Sequence, residues 1–529
     1  MNTQLSGQSL SSASLEHDED NIRAINPSDG ASLDPAYRGI TESSVEAVAN
    51  LAESAFAAYQ TLSGKDRATF LRAIAINIEA VVEDLVERTC QETALPEARV
   101  RGESARTVGQ LRLFADLAES GQWVDARLET AIPDRQPLPK PDIRSQREPL
   151  GPVVVFCASN FPLAFSVAGG DTAAALAAGC PVIVKAHHSH PGTAEIIGQA
   201  IQKAASETQM PDGVFSLVYG SGRTVGTALV KHPAVKAVGF TGSQAGGVAL
   251  MKAAADREEP IPVYAEMSSV NPVVIFQDKL EKDMDAIVTG LHGSVILGAG
   301  QFCTNPGLVF IPSGEAAKTF ASKLAETMAE TPDGTLLNSG IADAYRSAIQ
   351  DRDGATALAG ADKVDASTGC QVPAILLQTT AEALIANPAL ANEAFGPSTT
   401  LVTWSSKEEL CTALSSLEGQ LTGTVHATES DLEGAETVIA TLRQKVGRLI
   451  YGGYPTGVEV CHSMVHGGPF PATSDGRSTS VGTMAIERFA RPVCYQNAPE
   501  AFLPDALKKG NPLNLQRLVN GVMTTDSIS

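Results

Sequence analysis

From Val153 to Met267 the chain alternates short apolar runs rich in β-branched residues with alanine-rich or amphipathic stretches. The runs are VVVFC (153–157), PVIVK (181–185), VFSLVY (214–219), VKAVGF (235–240) and PVYAEM (262–267). Between most of them lie GDTAAALAAG, TAEIIGQAIQKAA and TVGTALVKH, which have helical character. Strand and helix alternating at this spacing predict βαβ units and a parallel, doubly wound sheet. NPVVIF (271–276) and GLVFIP (307–312) begin a second such set around a helix near 281–299, and mixed α/β patterning continues from about 330 to 480. Upstream, from Ser43 to about Gly121, VEAVANLAESAFAAY and FLRAIAINIEAVVEDLVERT repeat apolar residues at three and four, which predicts helices. The Pro-rich, charged stretch between Trp123 and Glu148 predicts an excursion from the body or an extended edge strand. The Ser-rich residues 1–20 predict a flexible tail.

A chain of 529 residues has room for two or three domains with sizeable cores. A formal charge of −21 argues against a nucleic-acid or anionic-membrane partner, either of which needs a basic face. The eight cysteines are scattered, with no C-x-x-C pair, which fits a reducing compartment better than a disulfide framework. The polar, acidic N-terminus does not fit a signal peptide, and no run approaches the roughly 18 to 20 apolar residues of a membrane helix. A cytoplasmic protein is expected.

The stretch with the most specific chemistry is GAGQFCTNPG (298–307), where glycines bracket Cys303 on a turn between a helix and a strand. Backbone N–H groups on such a turn lower a thiol's pKa and can hold an oxyanion. SNFP (159–162) follows the first strand at its carboxyl end, where open α/β sheets place ligands, and Asn160 offers an amide donor there. AEMSSVNP puts Glu266 at another strand end, FTGSQAGG puts Ser243 at a third, and NEAFGP adds Glu393. VKAHHSHPG (184–192) crowds His187, His188 and His190 behind Lys185, but the spacing lacks the H-x-x-x-H of a helix-borne metal site and no metal is expected.

In this order the motifs resemble the aldehyde dehydrogenase superfamily, from about residue 25 to 500. AEMSSVNP, AGQFCTNPG and GGPFPATSDGRSTSVGT look more like its 2,5-dioxovalerate (α-ketoglutarate semialdehyde) and NADP-linked fatty aldehyde branches. The resemblance implies two doubly wound parallel-sheet domains with a small oligomerisation arm. A cofactor-binding domain would span 21–124 and 150–270, and a catalytic domain 271–482. The arm would span 125–149 and 483–500, a C-terminal extension 501–529, and the chain would form a homodimer or homotetramer. Cys303 is implied as the nucleophile, Asn160 as an oxyanion donor and Glu266 as the base that activates water. CoA-acylating oxidation fits less well, because enzymes of that kind generally lack the Glu266 base. Hydrolysis by Cys303 would need a partner such as His292 or His462.

Gly242, Ser243 and Gly247 resemble the pyrophosphate contacts at a helix N-terminus. Glu393 and Phe395 resemble contacts to the nicotinamide side of the cofactor, and Lys185 the contact to the adenosine ribose. GSGRTVG (220–226) is only a loosened dinucleotide fingerprint, though Arg223 in it suits a 2′-phosphate. His188 stands where NAD-preferring members carry a ribose-gripping glutamate, so the implied cofactor is NADP, with NAD also used. Phe161 and Phe165 are expected in the aldehyde tunnel, and Arg477 at its mouth to meet an acidic substrate.

Overall fold

The computed structural model describes residues 3–364 and 366–528. Five of the predicted runs form one parallel sheet: β1 (Val153–Phe156), β2 (Val182–Lys185), β3 (Phe215–Val218), β4 (Ala237–Thr241) and β5 (Val263–Glu266). Their order is β3-β2-β1-β4-β5, so the chain winds outward in both directions from β1. β1, β2 and β3 are buried along their whole length, which is why they read as unbroken apolar runs rather than as alternation. The helix Gly170–Ala178, buried but for Asp171, covers one face, with the longer α1 (Glu97–Ser120) and its neighbour Gly64–Ala80 outside it.

The second sheet has seven strands. They are β6 (Val273–Ile275), β7 (Leu308–Pro312), β8 (Thr356–Ala359), β9 (Ile375–Thr380), β10 (Ser398–Trp404), β11 (Gln420–His426) and β12 (Val446–Tyr451), in the order β8-β9-β10-β7-β6-β11-β12. All pairings are parallel except β8 with β9 at one edge.

A third sheet stands apart. Arg127–Glu129 and Ile143–Pro149 form its middle, Ala490–Gln496 flanks one side, and Arg517–Val519 with Val522–Thr524 flanks the other. Residues 501–529, expected as a separate extension, therefore contribute two strands to this sheet. Arg517 is fully buried there and donates to the carbonyls of Ala506, Lys508, Lys509 and Asp526.

The flexible tail expected over residues 1–20 is a second correction; Met1 and Asn2 lie outside the described residues. Thr3 donates to Asp84, Ser6 donates to Glu195, and Leu10 bridges Leu217 beside β3. From His17 the chain is already in a hairpin with Ser32–Ile40. Its polar side chains have partners within the fold, which composition does not reveal. No described helix is long and apolar enough to cross a membrane.

Candidate active site

The first sheet delivers its polar side chains from strand ends. Lys185 and Glu266 are the last residues of β2 and β5, and Asn160 stands four positions beyond β1. After β4, Ser243 caps the helix α2 (Gln244–Ala255), its Oγ accepting from the Gly246 N–H at 3.2 Å. These residues line one cavity of roughly 1920 Å³, open solvent at its mouth included. The backbone at and behind its wall is crowded: a Cβ on Gly242 would lie 2.7 Å from the Phe240 ring, and one on Gly247, a turn deeper, 2.6 Å from Met267 Sδ. Only glycine lets the backbone lie this close, leaving the N-terminus of α2 bare toward the cavity.

The second sheet reaches the same cavity through loops. After α3 (Met284–Ile296), three successive residues, Gly298, Ala299 and Gly300, take left-handed φ values of 57°, 55° and 70° and turn the chain toward Cys303. A Cβ on Gly300 would stand 2.1 Å from the Gly396 carbonyl oxygen, so this turn packs backbone to backbone on the one carrying Glu393 and Phe395. Asn271, itself left-handed, donates from Nδ2 to the carbonyls of Cys303 and Asn305, both at 2.9 Å. Its Oδ1 accepts from Ser269 and Thr422, and Gln420 Oε1 accepts from the Val270 and Asn271 N–H groups. Across the cleft, Asn160 Nδ2 donates to the Gln301 carbonyl at 3.0 Å.

At the bottom Cys303 Sγ lies 3.5 Å from His466 Nε2, and that nitrogen lies 2.9 Å from Glu266 Oε1. Ser480 Oγ donates to Glu266 Oε2 at 2.6 Å. Burial by itself lifts the Glu266 carboxyl, yet His466, Ser480 and the Cys303 thiol together hold it below the usual range. An ionised carboxylate only accepts, so the His466 proton sits on Nε2, and His466 acts as a donor rather than as the base for Cys303. Burial, together with the Glu266 and Glu393 carboxylates, pushes the Cys303 thiol well above its usual range. The site thus holds a thiol beside an ionised carboxylate, an arrangement in which the carboxylate can accept the sulfur's proton. Glu266, Cys303 and His466 offer donor atoms within 4.8 Å of one another, a set that soft divalent cations also favour.

The aldehyde dehydrogenase family model matches residues 15–480. The chain belongs to the aldehyde dehydrogenase family. It is 50% identical over 524 residues to alpha-ketoglutaric semialdehyde dehydrogenase 2 of Azospirillum brasilense, covering 98% of this chain and 99% of that one. It is 45% identical over 506 residues to alpha-ketoglutaric semialdehyde dehydrogenase of Acinetobacter baylyi, covering 95% and 96%. Among solved structures, the aldehyde dehydrogenase of Brucella melitensis biovar abortus 2308 has the same fold, with TM-score 0.77, 24% identity, and 94% and 98% covered.

In this aldehyde dehydrogenase, Asn160, Lys185, His188, Arg223, Gly242, Ser243, Glu266, Cys303, Glu393 and Phe395 all line the large cavity. Gly247 does not; it lies a turn deeper, packed on Met267. Phe161 and Phe165 form an aromatic group with Phe302, ring centroids 5.3 Å apart in each T-shaped pair. Arg477 is not brought in: its side chain is 91% exposed and paired with Asp475. Nor do the expected histidines reach the thiol, since His292 bonds Thr331 and His462 bonds Thr483. His187 and His188 stack at 4.3 Å by the cavity, while His190 is fully buried and bonds the Ala158 carbonyl behind it. Sequence reasoning missed His466, Ser480 and Asn271. The first two lie within GGPFPATSDGRSTSVGT or directly before it, where glycine-rich loop composition is the only local signal.

Proposed function

We propose that the protein oxidises 2,5-dioxovalerate (α-ketoglutarate semialdehyde) to 2-oxoglutarate, with NADP or NAD as the oxidant. The observation that carries the substrate is the identity to two named semialdehyde dehydrogenases along almost the whole chain. Cofactor binding is supported by features of the cavity itself. Lys185 is buried there with no hydrogen bond from its Nζ among the described residues, its ammonium disfavoured by burial, as suits a group awaiting ribose hydroxyls. Ser243 and the bare N-terminus of α2 suit a pyrophosphate, and Glu393 suits the nicotinamide ribose.

In the mechanism Cys303 adds to the aldehyde carbon as Glu266 takes the thiol proton. Asn160 Nδ2 and the Cys303 N–H hold the oxyanion of the thiohemiacetal. A bound nicotinamide ring supplies a two-electron acceptor for the hydride of that carbon. Collapse leaves Cys303 as a thioester; once Glu266 has passed the thiol's proton to solvent, it deprotonates the water that releases the acid and returns that proton to the departing thiolate. His466 favours the ionised form of Glu266 before each proton transfer, and its Nε2 also faces the Cys303 sulfur.

Arg223 and His188 are both exposed at the cavity rim, and no carboxylate stands at His188 to repel a 2′-phosphate. NADP is therefore well used. Steady-state absorbance at 340 nm with each cofactor and a panel of aldehydes tests the whole reading. A kcat/KM with NAD ten times that with NADP defeats the cofactor assignment, and a preference for hexanal over 2,5-dioxovalerate defeats the substrate. A homo-oligomer built on the third sheet is supported by its exposed Val522 and the nearby exposed Leu138 and Phe502, and a reducing cytoplasm by the eight free cysteines.

A further inference from the structure

An acidic semialdehyde brings a carboxylate to a chain whose net charge of −21 repels it, so the site needs a local cation. Arg477 is committed to Asp475 at the surface. Beyond the cofactor cavity, on the aromatic side of Cys303, stands Arg106 of α1. Its guanidinium carbon lies 5.7 Å from the Phe165 ring centre, Phe165 lies 6.2 Å from the His466 ring, and His466 touches the Cys303 sulfur. The Arg106 side chain makes no hydrogen bond or ion pair among the described residues, and its Nε and Nη2 are both buried without a partner.

Each neighbouring guanidinium has at least one polar partner through its Nη groups, although Arg99 and Arg448 also leave Nε buried without one. Arg99, two turns earlier on the same face of α1, lies over Phe161 and Phe302 and pairs with Glu103 at 3.1 Å. Glu103 also accepts from the Leu163 and Ala164 N–H groups. Arg448, a second guanidinium whose charge bears on Cys303, uses both Nη groups on the carbonyls of Gly457 and Pro455. Burial opposes the charged form of Arg106 most strongly; Glu103, Cys303 and Glu459 favour it, and Arg99 opposes it.

Two buried, unpartnered donors on a permanent cation are costly unless a ligand meets them. Nε and Nη2 are adjacent on one edge of the guanidinium, the edge that matches a carboxylate with two parallel hydrogen bonds. Phe161, Phe165 and Phe302 supply apolar walls that exclude water and strengthen such a pair. We propose that Arg106 is the carboxylate receptor of the substrate site, its Nε–Nη2 edge gripping the acid end of an ω-aldehyde acid while the aldehyde carbon lies at Cys303. The assignment rests on the acidic-semialdehyde reading above.

The test compares wild type, Arg106→Met, Arg106→Lys and Arg477→Ala on 2,5-dioxovalerate, glutarate semialdehyde and uncharged hexanal. Arg106→Met raises KM for both acids on the order of 100-fold, with kcat and all hexanal constants little changed. Arg106→Lys recovers part of the loss, because an ammonium keeps the charge but not the paired geometry. Arg477→Ala leaves every constant unchanged. A readout without turnover accompanies these: glutarate slows iodoacetamide alkylation of Cys303 in wild type and fails to do so in Arg106→Met. Equal losses on acids and hexanal, or glutarate protection retained in Arg106→Met, overturn the assignment. Wild type that does not prefer the acids over hexanal sinks the substrate reading instead, a result visible before any variant is made.

Discussion

The two parallel sheets supply the site in opposite ways. The first offers side chains from carboxyl strand ends: Lys185 and Glu266 each close a strand whose ladder already fixes their direction. The second offers Cys303 and Glu393 from loops that run into its strands, each five positions before its strand begins at Leu308 or Ser398. Nothing periodic holds those loops, so the task falls to Asn271, Gln420 and three left-handed residues. The first side therefore tolerates the loss of one contact, whereas the second concentrates its order in a few buried polar atoms.

Removing the chemistry from each side gives the largest effects. Cys303→Ala ends oxidation altogether. Glu266→Gln slows steady-state turnover by roughly 10³-fold while an acyl-enzyme accumulates, which intact-protein mass spectrometry detects; no acyl adduct would mean that Glu266 acts only on the thiol. The comparison itself is broken or kept by a pair of stability measurements. Asn271→Ala orphans buried carbonyls and costs about 2–4 kcal/mol, with kcat falling as Cys303 loses its position. Ser243→Ala removes only a helix cap, costs about 1 kcal/mol, and raises the KM of the cofactor alone. Equal destabilisation by the two, read from denaturant midpoints, would erase the distinction between ladder-held and loop-held sides.

Smaller effects follow from protonation. Replacing His466 by Phe removes the donor that keeps Glu266 ionised, so burial then lifts the carboxyl. The acid limb of the kcat profile moves to higher pH; an unmoved limb would show that Ser480 suffices. Smallest is the effect at Glu393, which burial pushes up to about 7 against its bonds to Ser268 and Ser269. Its carboxyl is neutral below that pH and ionised above it, and ribose hydroxyls donate best to the ionised form. Cofactor KM accordingly falls as pH rises through about 7, and Glu393→Gln flattens the dependence.

The same contrast explains what the sequence discloses. Strands buried on both faces must be continuous apolar runs, and β1 to β7 each fall inside their predicted windows or within one residue of them. Cys303 and Asn160 were legible because glycine and proline mark the turns that carry them, and Glu266 because it closes an apolar strand run. His466 was not, since a lone histidine in a glycine-rich loop gives no sign of meeting a thiol 163 positions earlier. Arg106 was hidden for another reason: on a helix of alternating charges it looks like any solvated arginine, and only tertiary packing buries it against Phe165. The N-terminal segment misled because a polar strap and a polar tail have the same composition.

The third sheet has a consequence in time. Its two inner strands, Arg127–Glu129 and Ile143–Pro149, leave the ribosome early, while both flanking partners come from residues 490 to 519. During synthesis the inner pair waits with both edges open as the two large sheets are made. If copies of the chain join through this sheet, assembly is timed by its last-made strands and follows completion of the catalytic centre, so that a nascent chain meets its own distant segment before it meets a neighbour.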